Sequence, residues 1–249
     1  MSEKLTSQTY WEAYYGKRKI KKTSIVNVCS YYDSYWNSFI DSNSRGQSII
    51  EIGGYPGRFL AYLASKYNLL PTSLDYNSNT DQLENVFKTM GVDNYTILEK
   101  DFTTHVPNIK YDYVLSNGFI EHFTNYDDIL DLHVDYLKTG GKLYVMIPNM
   151  KGYIWLYKYL VDYQNLKVHN LKSMRLKVFK DFAKRHNLKT IELTYFGDFP
   201  HGVHQKSNFL QRLILKSNRF LFKKLLNKFI NKYPSPYFSS GIVAIFEKQ

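Results

Sequence analysis

Residues 48–75 read SIIEIGGYPGRFLAYLASKYNLLPTSLD, and this stretch decides the fold. An apolar run that contains Ile49, Ile50 and Ile52 leads into a cluster of glycines. An amphipathic segment follows, and a second apolar run ends at Asp75. This order predicts a strand, a tight turn, a helix and a second strand.

The turn after the first strand predicts a site for a nucleotide-like cofactor. Gly53, Gly54 and Gly57 permit positive φ and let the backbone approach a ligand closely. The helix N-terminus at this turn offers free N–H groups. Asp75 follows Glu51 by 24 residues. That is close to the spacing of about 20 residues at which an acid on the second strand meets a ribose hydroxyl.

The spacing excludes one cofactor and favours another. A dinucleotide fingerprint requires GxGxxG, but this register holds Gly53, Tyr55 and Arg58. The stretch instead resembles motif I of class I S-adenosylmethionine-dependent methyltransferases, (D/E)xGxGxG, with Glu51 as the acid and Tyr55 in place of the middle glycine. S-adenosylmethionine carries a cationic sulfonium and a ribose with two hydroxyls, so acidic side chains suit it. The alternative is a plain tight turn in an unrelated α/β domain.

A second segment carries the same resemblance. Residues 116–123, SNGFIEHF, are similar to the segment after the fourth strand of small-molecule methyltransferases. Together the two matches imply an α/β, Rossmann-like class I methyltransferase fold with a seven-stranded sheet in the order 3-2-1-4-5-7-6. Some relatives hold a divalent metal here with ExxEH. Glu121 and His122 match that pattern, but Gly118 replaces the first acid, so we predict no metal.

The resemblance also implies which residues contact S-adenosylmethionine and the product S-adenosylhomocysteine. Asp101 would accept from the exocyclic amino group of adenine, and Phe102 would pack on the ring; the alternative is that Asp101 caps a loop. The full set of predicted cofactor-binding residues is Glu51, Gly53, Gly54, Tyr55, Gly57, Phe59, Asp75, Tyr76, Asp101, Phe102, Ser116, Asn117 and Gly118.

Composition and charge set limits on the class of protein. The single cysteine, Cys29, excludes an internal disulfide and a cysteine metal cluster. The polar N-terminus and the absence of a long apolar run predict neither a secretory signal nor a membrane span, so we expect a cytoplasmic protein. The net charge is +11, but residues 42–150 carry −5 and residues 151–249 carry +14. This split fits a cationic cofactor in the acidic half and an anionic acceptor in the basic half; a solvated basic surface without a partner is the alternative.

We predict a single methyltransferase domain, 1–249, with three parts. Residues 1–45 would form an N-terminal helical lid, residues 46–150 the cofactor-binding half and residues 151–249 the acceptor-side half. Helical insertions are expected after strands 5 and 6, the second spanning residues 197–240. That excursion is too long for a structureless loop.

Aromatic and polar side chains of the lid and the insertions are candidates for the acceptor site. The lid sequence TYWEAYYG contributes Tyr14 and Tyr15, although such aromatics can also simply cap the sheet. Histidine is the fitting general base for a hydroxyl acceptor. The candidate catalytic residues are His122, His169 and His201, and the further candidates for acceptor binding are Asn149, Asn170 and His204.

The last insertion contains a basic segment, residues 205–233, which is predicted to form one amphipathic helix. Its basic positions include no acid. Such helices form an electropositive wall for a phosphorylated substrate, a dimer face or a membrane-surface contact. We favour the first two over a weak membrane-surface contact, because the substrate cap is expected at this place.

These observations predict an O-methyltransferase that acts on a small molecule. The layout is similar to methyltransferases of surface-polysaccharide building blocks, and the basic cap suits a phosphate-bearing or nucleotide-activated acceptor. The methylated group would be a sugar hydroxyl or an oxygen of a phosphoryl-type modification. An RNA methyltransferase and a non-catalytic binding protein remain alternatives, although no stable nucleic acid partner is expected. The sequence does not indicate the oligomeric state.

Overall fold

A seven-stranded sheet organises the molecule. A computed structural model describes residues 4–15 and 20–249, with the side chains of residues 12–15 left out of the description. The strand order is β3-β2-β1-β4-β5-β7-β6, and β7 alone runs antiparallel to its neighbours. The predicted fold class is confirmed. The strands are β1 (Ser48–Ile52), β2 (Leu70–Asp75), β3 (Thr96–Glu99), β4 (Tyr111–Asn117), β5 (Leu137–Pro148), β6 (Leu188–Phe196) and β7 (Gly241–Lys248).

The central strands are apolar on both faces because helices cover both faces. Ile49, Ile50 and Ile52 of β1 are all fully buried, but they face different layers. Ile49 belongs to the apolar cluster under the first helices of the chain, whereas Ile50 and Ile52 belong to the cluster under the later helices. The helices are α1 (Gln8–Tyr15), α2 (Lys22–Cys29), α3 (Asp33–Phe39), α4 (Arg58–Tyr67), α5 (Thr80–Met90), α6 (Tyr126–Asp131), α7 (Tyr153–Val161), α8 (Tyr163–Leu166), α9 (Leu176–Arg185), α10 (Phe209–Leu221) and α11 (Asn227–Lys232).

The N-terminal region divides into two parts with different positions. Helices α2 and α3 pack against the sheet and α4: the Trp36 ring lies 4.6 Å from the Tyr144 ring of β5, and Phe39 is fully buried. Only the segment around α1 reaches the C-terminal edge of the sheet. The aromatic face predicted for residues 28–40 therefore caps the sheet, and the part of the lid that the structure places over the crevice is shorter than 1–45.

Some boundaries become visible only in the structure. Gly140 and Gly141 lie inside β5, which follows a 3-10 turn over Leu132–Tyr136. The single helix predicted over 205–233 is α10 and α11, joined by a π-helical turn at Phe222–Leu226.

Helical insertions follow strands 5 and 6, as predicted. α7, α8 and α9 connect β5 to β6, and α10, the π turn and α11 connect β6 to β7. The two insertions contact each other, since α10 packs on α7 and Gln211 Nε2 donates to Leu160 O at 3.0 Å. Among the described residues, no helix is both long enough and apolar enough to span a bilayer.

Candidate active site

A crevice of about 310 Å³ opens at the C-terminal ends of β1, β2 and β4. Open α/β sheets bind ligands at this edge. The crevice is roofed by residues of the N-terminal segment, including Lys4, Thr6 and Trp11. The predicted cofactor residues that line it are Gly53, Tyr55, Asp75, Tyr76, Asp101, Phe102 and Gly118.

The glycine turn leaves no room for side chains. A Cβ on Gly53 would lie 2.1 Å from the Phe119 ring, and a Cβ on Gly54 would lie 2.1 Å from the carboxyl carbon of Glu51. Gly53 also has a φ of +64°, which favours glycine. The turn therefore holds its path through close backbone packing, even though Tyr55 occupies the position of the family's middle glycine.

Glu51 lies beneath the turn rather than on the crevice wall. Its carboxylate is fully buried and accepts from Leu60 N and from Asn117 Nδ2, each at 3.3 Å. Burial raises the pKa of Glu51 to about 8, against the opposing effect of these hydrogen bonds. The structure thus gives Glu51 and Asn117 a supporting position under the loop.

Asp75 is the acid that faces the crevice. It accepts from Tyr55 N at 3.1 Å and from Asn77 N at 2.8 Å, so the end of β2 and the glycine turn are tied together. Burial raises the pKa of Asp75. This is the position from which a carboxylate can accept from ribose hydroxyls, and Tyr76 lies beside it with half of its surface exposed.

Both carboxylate oxygens of Asp101 accept hydrogen bonds from other residues of the protein. One oxygen accepts from Thr103 N and Oγ1, and the other accepts from Lys4 Nζ at 2.6 Å. The pKa of Asp101 is lowered because these hydrogen bonds outweigh its burial. Asp101 therefore caps a loop and fastens the N-terminal segment, while it also lines the crevice. Phe102 is buried, with its ring 5.6 Å from that of Phe119 at the crevice wall.

Several predicted residues lie away from the crevice lining. Phe59 packs against Tyr32 and Trp36 in the layer under α2 and α3. Gly57 begins α4 with a φ of +80°. Ser116, like Glu51, Gly54 and Asn117, is not among the lining residues. The side chains of Tyr14 and Tyr15 fall outside the described part of the chain.

The N-terminal segment closes the crevice on the acceptor side. Lys4 and Phe123 form an antiparallel bridge, and Leu5 N donates to His122 O at 2.8 Å. The Trp11 ring meets the His122 ring edge to face at 4.9 Å. A roof of this kind excludes water from the reacting groups. The sequence TYWEAYYG correctly pointed to a lid, but the contacts described here come from residues before its tyrosine pair.

Glu121, His122 and His169 form a buried cluster at the inner end of the crevice. One ligand atom from each lies within 4.8 Å of the others. His122 Nδ1 donates to Val168 O at 2.9 Å and His169 Nδ1 donates to Asn165 O at 2.6 Å, because a carbonyl can only accept. Both Nε2 atoms therefore carry a lone pair.

Burial disfavours the charged form of each member of the cluster. Burial lowers the pKa of His122 to about 3, helped by the neighbouring His169, and burial lowers the pKa of His169 to about 4. Burial raises the pKa of Glu121 to about 8. Glu121 Oε2 has no hydrogen-bond partner among the described residues. A neutral site is compatible with a neighbouring sulfonium, which a fixed cation would repel.

The same cluster has donors that fit a divalent cation. The prediction of no metal rested on Gly118, but His169 now supplies a third ligand atom beside Glu121 and His122. Two imidazoles and a carboxylate are a common ligand set for Zn²⁺, Mn²⁺ or Fe²⁺. The two backbone carbonyls that orient the imidazoles provide the outer hydrogen bonds such sites use. A bound cation would polarise an acceptor oxygen.

Two asparagines predicted to bind the acceptor instead hold segments of the chain together through hydrogen bonds. Asn149 is buried, and its amide donates to Pro236 O and Ser239 O at 3.0 and 2.8 Å. Asn170 N donates to Glu121 O, and the Asn170 side chain donates to Phe123 O. Asn170 thereby anchors the insertion that carries His169 to the segment that carries His122.

The histidines of the second insertion lie outside the crevice lining. His204 Nδ1 is 3.0 Å from Asp162 Oδ2, and Asp162 also pairs with Lys158 in the protein interior. His201 packs in an aromatic cluster, with its ring 5.3 Å from that of Phe199. The structure thus brings His122 and His169 together and leaves His201 and His204 elsewhere.

Comparison with known proteins agrees with the fold and the crevice. A family model described as a methyltransferase domain matches residues 29–193. The chain belongs to this methyltransferase family. No curated protein sequence matches this methyltransferase.

Solved structures similar to this methyltransferase share its fold. A putative sarcosine dimethylglycine methyltransferase from Galdieria sulphuraria has 12% identity and a TM-score of 0.61, covering 97% of this chain and 98% of that one. A SAM-dependent methyltransferase from Geobacter sulfurreducens, in complex with S-adenosyl-L-homocysteine, has 13% identity and a TM-score of 0.58, covering 96% and 97%. One from Archaeoglobus fulgidus has 15% identity and a TM-score of 0.56, covering 96% and 98%.

S-adenosylmethionine is therefore the methyl donor, and S-adenosylhomocysteine is the product. The prediction of this cofactor is confirmed. Sequence analysis missed Phe119, which packs on the glycine turn, and Lys4, Thr6 and Trp11 of the roof. The apolar residues next to Glu121 could have suggested that Phe119 packs at the crevice. No pattern in the sequence indicates that residue 4 contacts residue 101.

Proposed function

We propose that this methyltransferase methylates an oxygen of a small phosphate-bearing or nucleotide-activated acceptor, of the kind used to build surface polysaccharides. The acceptor oxygen attacks the methyl carbon in line, an oxygen–carbon bond forms, the carbon–sulfur bond breaks, and S-adenosylhomocysteine leaves. The acceptor proton passes to an imidazole Nε2. Since the sulfonium is already activated, the protein contributes mainly orientation and exclusion of water.

The observation that carries the proposal is the neutral imidazole pair at the inner end of the crevice. His122 lines the crevice, and the ring of His169 lies 4.6 Å from that of His122. Both imidazoles keep Nε2 free to accept from a hydroxyl, as their Nδ1 atoms are held by carbonyls. An uncharged acceptor of protons suits a hydroxyl nucleophile that reacts beside a cationic methyl donor.

A basic cleft lined in part by the insertion that carries His169 supports an anionic acceptor. The cleft encloses about 320 Å³ and is lined by Lys151, Lys172 and Arg175 together with Trp155. Burial lowers the pKa of Lys151, and the nearby Arg175 adds to the effect. Lys172 follows Asn170 by two residues, so the cleft adjoins the anchored segment that carries His169. Cations held close together favour a phosphate, and Trp155 offers a face for a base or a sugar.

Methyl transfer from labelled S-adenosylmethionine to a panel of nucleotide-activated sugars and phosphorylated precursors tests the proposal. We expect transfer to at least one of them, with a KM for the acceptor that rises about tenfold in K172A/R175A. The surface pair K180A/K184A on α9 is the charge-matched control and should change nothing. Calorimetry should show S-adenosylmethionine binding in all three proteins.

Two outcomes would overturn the proposal. Transfer to RNA but to no small acceptor, with binding that weakens steeply as salt rises, would make the protein an RNA methyltransferase. No transfer to any acceptor despite normal binding of S-adenosylmethionine would make it a binding protein with a retained crevice.

A further inference from the structure

The outer face of α10 exposes large apolar side chains. Phe209, Leu210, Leu213 and Phe220 are each at least 50% exposed. The inner face of the same helix already packs on the protein: Ile214 and Leu215 contact the core, and Asn218 is buried and accepts from Tyr153 OH. The exposed apolar residues are therefore not an incomplete core face.

The residues of this outer face follow helical spacing. Phe209, Leu213 and Phe220 lie at i, i+4 and i+11, so they project from one side of the helix, opposite Asn218. The exposed side chains of Leu225, in the π-helical turn, and Phe229, in α11, continue the apolar character along the chain. We call Phe209, Leu210, Leu213, Phe220, Leu225 and Phe229 the apolar ridge.

Exposed aromatic residues of the neighbouring helix enlarge this surface. α10 packs on α7, whose exposed residues include Trp155, Tyr159 and Leu160. The Trp155 and Tyr159 rings are stacked at 5.3 Å. Two neighbouring helices that both expose several large apolar side chains are uncommon on a protein without a binding partner, and such a surface marks an interaction site.

A basic stripe borders the apolar ridge. Arg212, Lys216, Arg219 and Lys223 lie at i, i+4, i+7 and i+11 of the same helical segment, and residues 205–233 contain no acid. None of these four cations forms an ion pair within residues 4–15 and 20–249. Aromatic side chains with an amphipathic character, such as Tyr233 and Tyr237, are also exposed close to the end of α11.

The charge and the side-chain types of this surface together indicate which kind of partner it binds. We propose that the apolar ridge and the basic stripe dock this methyltransferase on an anionic membrane surface, with the ridge at the boundary between head groups and acyl chains and the lysines and arginines on the lipid phosphates. A second copy of the chain would bring two unpaired basic stripes together. RNA would satisfy the cations and could stack on the phenylalanines, but it would leave the exposed Leu210, Leu213 and Leu225 in water.

Vesicle flotation tests the proposal with the full chain. The wild type should bind vesicles of phosphatidylcholine and phosphatidylglycerol, and binding to pure phosphatidylcholine should be far weaker. The variant F209S/L213S/F220S should lose roughly tenfold or more of its affinity for the anionic vesicles. The variant K216E/K223E should lose a similar amount, with the loss largest at low salt.

Matched controls separate the surface from general effects. Val106 and Ile109 are exposed apolar residues elsewhere, so V106S/I109S should bind like the wild type. K180E/K184E makes the same change of charge as K216E/K223E, but on α9, and should also retain most of the binding. Thermal unfolding should give equal midpoints for all these proteins, since the substituted side chains are exposed.

Three outcomes would overturn the proposal. One is equal binding of the wild type and F209S/L213S/F220S to anionic vesicles. Another is a wild-type dimer in sedimentation that becomes a monomer in that variant, which would make the ridge a contact between copies. The third is the absence of vesicle binding together with salt-sensitive RNA binding that K216E/K223E abolishes.

Discussion

Residues 42–150 carry a net charge of −5, whereas residues 151–249 carry +14, and the two regions use their polar side chains differently. In the first region the acids work with backbone groups at strand ends: Asp75 accepts from two backbone amides, and Glu51 from Leu60 N. In the second region, asparagines fasten one segment of chain to another. The cofactor side is thus built from the sheet, and the acceptor side from tethered insertions.

This difference predicts which function a substitution in each region should affect. At a sheet edge, backbone packing holds the functional groups in place. Close contacts are therefore needed there, such as that between Gly54 and Glu51. A tethered insertion depends on single side chains, since Asn170 links the segment of His169 to that of His122. Substitutions on the cofactor side should therefore act on binding of the donor, and those on the acceptor side on turnover.

The largest expected effect tests the imidazole pair, in which His122 of the first region meets His169 of the second. Replacement of His122 by alanine removes the imidazole that lines the crevice, and we expect kcat for methyl transfer to fall about 1,000-fold. Calorimetry should show little change in the Kd for S-adenosylmethionine. H186A is the control, because His186 lies at the surface beside Asp131.

A fall in kcat of less than tenfold in H122A would contradict the role of His122 as the proton acceptor. Proton transfer would then not involve this imidazole. A large rise in the Kd for S-adenosylmethionine would instead mean that His122 supports the cofactor crevice, and the two sides would no longer be separable at this residue.

The next effect tests the cofactor side. In G54A the added methyl group would overlap the buried carboxylate of Glu51, so the turn must move. We expect the affinity for S-adenosylmethionine to fall about 100-fold by calorimetry. G202A is the matched control, because a Cβ at Gly202 meets nothing within 4 Å. Unchanged affinity in G54A would show that the turn does not set the binding geometry.

Much of the cofactor side could be predicted from the sequence because its signals are local. The apolar runs, the glycine cluster and Asp75 lie within one short stretch, and the strand–turn–helix order follows from periodicity. The contact between Lys4 and Asp101 joins residues 97 positions apart, and no pattern in either segment indicates it. The contacts of Asp101 with Thr103 fit the loop-capping alternative, and the predicted contact with adenine stays a prediction.

The acceptor side was predicted less well for a physical reason. An asparagine that anchors a loop and one that binds a hydroxyl use the same donors and acceptors, so residue type could not separate Asn149 from a ligand contact. His201 and His204 failed as crevice residues because the second insertion packs on α7, with Lys158 and Asp162 beneath it. Only His169 is brought to His122, by the tether at Asn170.

A cation test sharpens the account of the imidazole cluster. If Glu121, His122 and His169 bind Mn²⁺ or Zn²⁺, saturating metal should raise the thermal unfolding midpoint by about 5 °C. The shift should grow as pH rises through 8, because Glu121 must lose its proton to bind. H169A should abolish the shift and H186A should keep it. No shift in the wild type would leave the original prediction of no metal standing.

The smallest effect concerns the pH dependence of stability in metal-free buffer. Burial raises the pKa of Glu121 to about 8 from 4.5, so between these values the folded state keeps a proton that the unfolded state has released. The free energy of unfolding therefore falls as pH rises, and the wild type should lose about 2 kcal/mol between pH 6 and pH 8 relative to E121Q.

Urea midpoints at several pH values measure this difference between the wild type and E121Q. Glu51 also has its pKa raised by burial, but it is present in both proteins and its contribution cancels. E99Q is the control, because Glu99 is exposed. Parallel curves for the wild type and E121Q would mean that water or an ion keeps Glu121 charged, and the neutral imidazole pair would then lie beside a carboxylate. In that case a fixed negative charge would lie at the cluster where the first region, with Glu121 and His122, meets His169 of the second.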